Sequence, residues 1–394
     1  MVLTKNKFQN IQNTKANLDN TSNWKNKSFS FPNRTIRLGT SFSGIGAIEQ
    51  AFKRLGIKNE ILFAGDIDPH CKKSYFANYD ITESNWHSDI HMFDATPYKD
   101  QIDLFVGGAP CQAFSLRGKH GGFEDTRGTL FREFARVVTE CQPKVFIFEN
   151  VRGMLYHDKG NTWNTIKNTF EEDCGYQVYY QVLNSKDYGV PQGRDRIYCI
   201  GFKKKTDFKF PAPLKLENTV YDFLEDRVND KYFLKEKGFK FITQSINHTK
   251  SYTQINGAIQ LCQKRNQQFN WHGDFIFHPF SEEEGQPADF MNLIHHVCNA
   301  EESYYTENCI EKYTIHPDGK GNHVMRKGKI VSCDASKGWF RKLTPRECLR
   351  LMGFDDSFKI VVSDTETYKQ AGNSIVVDVL IALLKQLDIT RYGV

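Results

Sequence analysis

The sequence predicts a doubly wound α/β sheet with a smaller, irregular domain inserted into it. Three observations carry this. Short apolar runs recur near Ile36, Ile61, Leu104 and Val145, and a helical pattern follows each of the first three. The run at Val145 lacks alternation, as strands of a parallel sheet buried on both faces do. After Phe202 this rhythm stops, and it returns near Thr344.

The elements follow in order. Residues 1–34 hold eight asparagines and few large apolar groups, which predicts a flexible basic tail. Seven basic side chains lie within residues 1–37 against Asp19 alone, so this stretch carries +6 of a net +5. A solvated extension and an arm on DNA both fit; a charge run by itself favours the extension. Residues 35–202 read as the first part of the main domain. A strand over 36–42 ends in a glycine turn. Ile45, Ile48, Phe52 and Leu55 then share a helix face, with Gly56 as a stop. A strand over 61–64 precedes a helix from about Pro69, and a strand over 103–106 ends in Gly107-Gly108. A helix carrying Leu130, Phe131, Phe134 and Val138 leads to the strand at 145–148, and a further strand spans 197–202. Residues 203–339 are rich in Lys, Asn, Gln, His and aromatics and form the insert, with Phe210-Pro211-Ala212-Pro213 as linker. Residues 340–394 complete the main domain. Thr344-Pro345-Arg346-Glu347 is a capping box with proline at the first helical position, Gly353 ends that helix, and an apolar helix runs from about Ser374 to Leu387.

Composition excludes several classes. With 394 residues and 39% hydrophobic side chains the chain can bury a sizeable core. The apolar run between Ile375 and Leu384 is interrupted by Asp378 and too short to span a bilayer. The first residues lack a signal-peptide core. Ten cysteines are scattered without a C-x-x-C pair, which predicts a reducing, cytoplasmic compartment.

Chemistry concentrates at the expected strand ends. Phe42-Ser43-Gly44-Ile45-Gly46-Ala47-Ile48-Glu49 is a G-x-G turn between strand and helix. The third glycine of a dinucleotide fingerprint is replaced by Glu49, where a pyrophosphate would meet a carboxylate. Asp66 ends the second strand and can accept ribose hydroxyls; Asp89, before Ile90, can reach an adenine amino group. Each acid alone also reads as a surface carboxylate or a cap. Together they suit S-adenosylmethionine, which has adenine, ribose and a carboxylate but no phosphate, better than NAD. Cys111 follows Gly107-Gly108-Ala109-Pro110 on a stiff turn at the ligand edge. An arbitrary cysteine is a small buried hydrophobe; this placement favours a nucleophile. The glycine-rich, basic stretch 115–129 reads as a lid, or as an ordinary surface loop. Glu149 ends the fourth strand and, with its pKa raised by burial, could hydrogen-bond a ring nitrogen. Arg194 and Arg196 share a face in a strand-like segment.

Taken together, FSGIGAIE, GDID, SDI, GGAPCQAFS, ENV, QGRDRIY, RKLTPRECLRLMGF and QAGNSIVV resemble, in order, the motif series of the DNA (cytosine-5) methyltransferases. The resemblance covers 36–202 and 340–387 and is nearest to bacterial restriction–modification members. It implies an S-adenosylmethionine-dependent methyltransferase fold, Rossmann-like, with 203–339 as the target-recognition domain. It implies that Cys111 adds to C6 of a flipped-out cytosine, that Glu149 contacts N3 and the exocyclic amine, that Arg196 holds O2, and that Arg194 supports the cysteine loop. Phe42, Gly44, Gly46, Asp66, Ile67, Asp89, Ile90, Pro110, Leu130, Asn373 and Ser374 would form the cofactor pocket. Gln112, Ser115, Arg117, Lys119 and Arg127 would contact DNA. No metal is implied. The partners implied are double-stranded DNA and a cognate restriction endonuclease acting on the same site without direct contact. The chain would be a monomer in the bacterial cytoplasm, associated with the nucleoid through DNA. Asp66, Ile67 and Ala47 depart from the family's common Glu, aromatic and Gly.

Rival readings are a tRNA cytosine-5 methyltransferase of the same fold, an inactive DNA-binding member and an NAD oxidoreductase. The first usually carries a Cys-Phe-Thr tripeptide, which is missing here; the intact Cys111, Glu149 and Arg194/Arg196 set opposes the second, and Glu49 the third. His295, His296, Cys298, Cys309, His316 and His323 lack zinc-site spacing. Gln263, Arg265, His323, Arg326 and Lys327 are candidate base or phosphate contacts.

Overall fold

The computed structural model describes residues 24–110, 128–242, 252–266, 271–279, 325–326, 329–330 and 338–394. Strand and helix alternate first: β1 (Ile36–Ser41), α1 (Ala47–Leu55), β2 (Asn59–Gly65), α2 (Pro69–Asn78), β3 (Trp86–His87), β4 (Leu104–Gly107), α3 (Gly128–Cys141) and β5 (Val145–Val151). Then come α4 (Asn161–Asn168), β6 (Gln177–Asn184) and β7 (Asp195–Phe202). The insert contributes α5 (Glu236–Ile242), β8 (Thr253–Ile255), β9 (Gly273–Pro279), the hairpin β10 (Met325–Arg326) and β11 (Lys329–Ile330), and β12 (Gly338–Lys342). The chain closes with α6 (Pro345–Arg350), α7 (Asp364–Asn373) and α8 (Val377–Leu387).

The main sheet has seven strands in the order β3-β2-β1-β4-β5-β7-β6. β1 to β5 are mutually parallel, and β7 runs antiparallel to both neighbours. The order reverses at β1, so a crevice opens at the carboxyl ends of β1 and β4, where ligands bind in open α/β sheets. One face of the sheet (Leu38, Val106, Ile147, Ile200) packs on Phe52 of α1 and on Leu380 and Leu384 of α8. The other face (Phe105, Phe146, Phe148, Cys199) packs on Phe134 and Val138 of α3 and on Ile166 of α4. Apolar burial on two faces explains the continuous apolar runs.

Local signals set the helix ends. α1 starts after Gly46 (φ 80°) and stops at Gly56 (φ 66°). Asp68 caps α2, accepting from His70 N at 2.9 Å, and Pro69 occupies its first position. The capping box of Thr344 and Glu347 opens α6. α7 escaped the sequence reading because it carries little apolar periodicity, although Ser363 with Glu366 is an N-terminal signal. It takes Ser374 off the last helix, and Asn373 and Ser374 stand at its own carboxyl end.

The insert is more ordered than its composition suggested. β8 pairs parallel with β9, and β9 antiparallel with β12, in a separate three-stranded sheet. The expected boundary at 339/340 falls inside β12. The expected flexible tail is corrected over residues 24–34. Trp24 is buried and donates to the Ala212 carbonyl at 3.0 Å, and Phe31 N donates to Thr390 Oγ1 at 3.1 Å. An indole face gives this stretch apolar surface to bury, which asparagines and lysines do not. Among the described residues, no helix is long and apolar enough to cross a membrane.

Candidate active site

The crevice is built from strand ends. β1 runs into a tight turn in which Phe42, Gly44 and Gly46 all have positive φ (54°, 56° and 80°). Gly46 is required twice. Its φ suits glycine, and a Cβ there would lie 2.2 Å from the Tyr79 ring. The Tyr79 hydroxyl reaches this close to donate to the carbonyls of Ile45 (3.1 Å) and Gly46 (2.7 Å). At Gly44 a Cβ would meet nothing within 4 Å, so the turn presents bare backbone to open space.

Asp66 ends β2 and locks onto this turn. Its carboxylate accepts from Gly44 N and Asp68 N, both at 2.9 Å. Burial pushes its pKa up, and the two N–H donors counter that. A carboxylate has about four acceptor sites, so two remain for a ligand. Ile67 beside it is 79% exposed, an apolar side chain standing in solvent. Asp89 is exposed and accepts from His91 N at 3.0 Å, so it caps a short 3-10 turn, while Ile90 is buried. Phe42 and Leu130 are partly buried against the core formed with α3.

Glu49 does not line the open face of the turn, as the sequence reading supposed. It is 3% exposed, beneath α1's first turn, and accepts from the Tyr75 hydroxyl. Burial pushes its pKa up to about 7. An acid here can be tolerated because below that pH it is largely neutral and hydrogen-bonded.

The second cluster lies at the ends of β4, β5 and β7. Glu149 is buried, with Oε1 3.2 Å from Arg196 Nε. The contact is an ion pair rather than an aligned hydrogen bond, and Oε1 has no hydrogen-bond donor among the described residues. Burial raises the Glu149 pKa against the opposing pull of Arg196 and Arg194. Gly108 makes room for it, since a Cβ there would lie 3.1 Å from Glu149 Oε2. Asn150 Nδ2 donates to the Ala109 carbonyl at 3.1 Å, tying the turn that leads to Pro110 onto β5.

Arg194 is 3% exposed. It donates to carbonyls of Gln263 (2.8 Å), Ser374 (2.8 Å) and Gly372 (3.2 and 3.3 Å). It therefore joins the insert to the end of α7. Burial lowers its pKa, and the neighbouring Arg196 lowers it further. Cys262 Sγ lies 4.0 Å from Nη1 of both arginines and from Nη2 of Arg196. Gly372 packs so closely on the insert that a Cβ would meet Arg265 N at 2.3 Å.

The insert is stitched to this edge by buried amides. Gly193 N donates to Gln260 O (2.9 Å), Gln260 N to Pro191 O (2.7 Å) and Gln263 N to Gln192 Oε1 (3.0 Å). Gln263 is thus a buried structural residue and not the exposed base contact proposed from its type; its side chain is held by Gln260 Nε2 at 2.6 Å. Arg265 is exposed. Sequence reasoning missed Cys262, Gln260 and Asn150. The last adjoins a motif acid and could have been found; the first two sit in irregular sequence without any pattern.

The structure thus brings together Phe42, Gly44, Gly46, Asp66 and Ile67 on one side, and Glu149, Arg194, Arg196 and Ser374 on the other. Cys111, Gln112, Ser115, Arg117, Lys119 and Arg127 lie outside the described residues, as do the histidines and cysteines weighed for zinc, His323 and Lys327.

Residues 37–388 match the family model described as C-5 cytosine-specific DNA methylase. The chain is 35% identical over 351 residues to the type II methyltransferase M1.ScrFI of Lactococcus lactis subsp. cremoris, covering 88% of this chain and 76% of that one. It is 36% identical over 361 residues to the type II methyltransferase M.SsoII of Shigella sonnei, covering 90% and 80%. The fold is similar to the solved Entamoeba histolytica methyltransferase EhMeth, with TM-score 0.65 and 16% identity over 90% of this chain and 98% of that one.

Proposed function

The chain belongs to the C-5 cytosine-specific DNA methylase family and is a DNA cytosine-5 methyltransferase, and from that premise we propose how its own residues carry the reaction. The methyl donor is S-adenosylmethionine. Asp66 keeps two acceptor sites free for ribose hydroxyls, Ile67 offers an uncovered apolar face for adenine, and the bare backbone at Gly44 admits a carboxylate. Bound there, the donor supplies an electrophilic methyl group. Phe42, Gly46, Asp89, Ile90, Pro110, Leu130, Asn373 and Ser374 complete the pocket.

The observation that carries the catalytic reading is the buried Glu149 beside Arg196 and Arg194, one strand from the Gly107–Pro110 turn that leads into Cys111. Duplex DNA hides C5, so the target cytosine is flipped out, at a cost of a few kcal/mol. Cys111 adds to C6. Glu149 holds N3 and the exocyclic amine and, protonated, neutralises the charge that builds on the ring. Arg196 holds O2. C5 then becomes nucleophilic and accepts the methyl group. Loss of the C5 proton and departure of Cys111 restore the ring, so one hard step becomes two easier ones. Arg194 fixes the end of α7 and the insert against this edge. Gln112, Ser115, Arg117, Lys119 and Arg127 contact DNA as the 115–129 loop closes. The chain acts as a monomer on a short DNA word as the modification half of a restriction–modification pair, in the bacterial cytoplasm. Residues 203–339 choose the word.

The test is base-resolution methylation sequencing of plasmid DNA from a methylation-free host expressing the chain, beside a Cys111→Ser culture. The expected result is 5-methylcytosine at one recurring word, absent from the Cys111→Ser control, with DNA binding retained by that variant. Methylation by Cys111→Ser would remove the assigned nucleophile.

A further inference from the structure

We propose that Cys262 is a positioning residue of the active site, its sulfur held as an anion between Arg194 and Arg196 so that Glu149 can keep the proton it presents to the cytosine ring. The inference rests on the reading of Glu149 given above.

The argument is one of charge balance. Two guanidiniums meet at the start of β7, where Arg194 is 3% exposed and the Arg196 side chain 16% exposed. Arg194's short hydrogen bonds go to carbonyl oxygens, which carry no formal charge. Arg196 faces Glu149. If Glu149 is to be protonated during catalysis, it cannot serve as the counter-ion of that pair. Two like charges in low dielectric need another partner. Cys262 supplies it, with Sγ 4.0 Å from both guanidiniums.

The other described cysteines sharpen the contrast. Cys71, Cys141, Cys174, Cys199 and Cys348 are buried, and burial pushes every one of their thiols up. Cys262 is only partly buried; burial opposes its ionisation, but Arg194 and Arg196 together outweigh it and bring the thiol down. Lys264 adds positive charge from the same irregular segment, while Tyr198, opposite Glu149, is buried with its hydroxyl held well above the usual range and stays neutral. As a neutral thiol Cys262 would instead donate to the Gln263 carbonyl, at 3.8 Å. That oxygen already accepts from Arg194 at 2.8 Å. Ionisation releases the thiol proton to solvent.

The sign follows. Without the thiolate, the full field of the arginines falls on Glu149 and lowers its pKa. Glu149 then loses its proton at a lower pH, and the alkaline limb of the methyl-transfer profile moves down.

The experiment measures single-turnover methyl transfer against pH for wild type, Cys262→Ala and Cys262→Asp, with DNA affinity measured in parallel. Cys262→Ala is expected to move the alkaline limb down by about one pH unit, the lower end of what a charge within ~4–6 Å does. Its rate above that limb should fall roughly tenfold, one decade per pH unit. Cys262→Asp, which restores the charge, should return the limb toward wild type. An unshifted limb in Cys262→Ala, or a limb shifted equally in both variants, overturns the proposal. A second measurement covers variants that fail to fold. In Cys111→Ser protein, alkylation of Cys262 by iodoacetamide, read by mass spectrometry, should titrate below the pKa of ~8.5 of a free thiol. A midpoint at or above it also overturns the proposal. Activity surviving in Cys111→Ser would instead defeat the underlying catalytic reading, so the two failures are distinct.

Discussion

Glu49→Gln tests whether a buried carboxyl next to the glycine turn after β1 destabilises the fold at alkaline pH. The side chain is buried and bound to the Tyr75 hydroxyl, and its pKa is pushed from 4.5 to about 7 by burial. The folded chain therefore holds this proton more tightly than the unfolded chain. Its contribution to stability is complete below 4.5 and is lost as pH rises to about 7. Between pH 5.5 and 8 the loss spans roughly 1.5 pH units, which at 1.36 kcal/mol per unit is about 2 kcal/mol. Glutamine keeps the shape and an acceptor for Tyr75 but cannot ionise. Urea unfolding at pH 5.5, 7 and 8 should show wild type falling relative to Glu49→Gln by about 2 kcal/mol across this window. Nearly all of that fall should lie below pH 7.5. Parallel stability curves for the two proteins would refute the burial argument, because they would mean the carboxylate ionises in the folded state at no cost.

Two further outcomes follow from the same geometry. Glu149→Gln removes a titrating group that touches Arg196 but keeps its volume, so single-turnover methyl transfer should slow by about 10²–10⁴-fold while cofactor affinity stays nearly constant; a near-normal rate would take Glu149 out of the mechanism. Glu347 forms two 2.8 Å contacts with Arg341, both buried, and also receives Thr344 N at 2.8 Å in the capping box. Glu347→Ala leaves a buried guanidinium without its partner and should cost about 3–5 kcal/mol by denaturant unfolding, whereas Arg341→Met with Glu347→Leu together should cost far less.

The main sheet and the glycine turn after β1 were legible because their signals are local. Gly46 and Gly56 bracket α1, Pro69 and Asp68 start α2, and the apolar run at Val145 marks a strand buried on both faces. Asp66 was singled out as an acid at a strand end after a glycine turn, and the structure shows it accepting from the backbone of that turn. What stayed hidden is non-local. Gln260, Cys262 and Gln263 matter through backbone and side-chain contacts to residues about 70 positions earlier, such as Gln192 and Arg194. No period or spacing encodes such a contact. Gln263 misled because its type suits base reading, while its burial, which decides its role, is set by Gln192 and Gln260. Trp24 was lost in an asparagine-rich stretch where a single indole outweighs its neighbours.

The reversed strand explains how the arginines reach Glu149. In a parallel sheet the start of a strand lies at the edge opposite the ligands, so residues just before 197 would face away from the crevice. β7 runs antiparallel to β5, with Val151 opposite Arg196 and Glu149 opposite Tyr198. Its first residues therefore arrive at the carboxyl end of β5. Glu149 and Arg196 become diagonal neighbours on one face, within reach of long side chains, and they meet at 3.2 Å. The alternation then sends Ile197 and Cys199 into the α3 core and Tyr198 and Ile200 into the opposite one. A one-residue slip of β7 would turn both arginines into an apolar core, at the cost of burying two unpaired charges. The register that buries the sheet is thus the register that assembles the acid–arginine cluster.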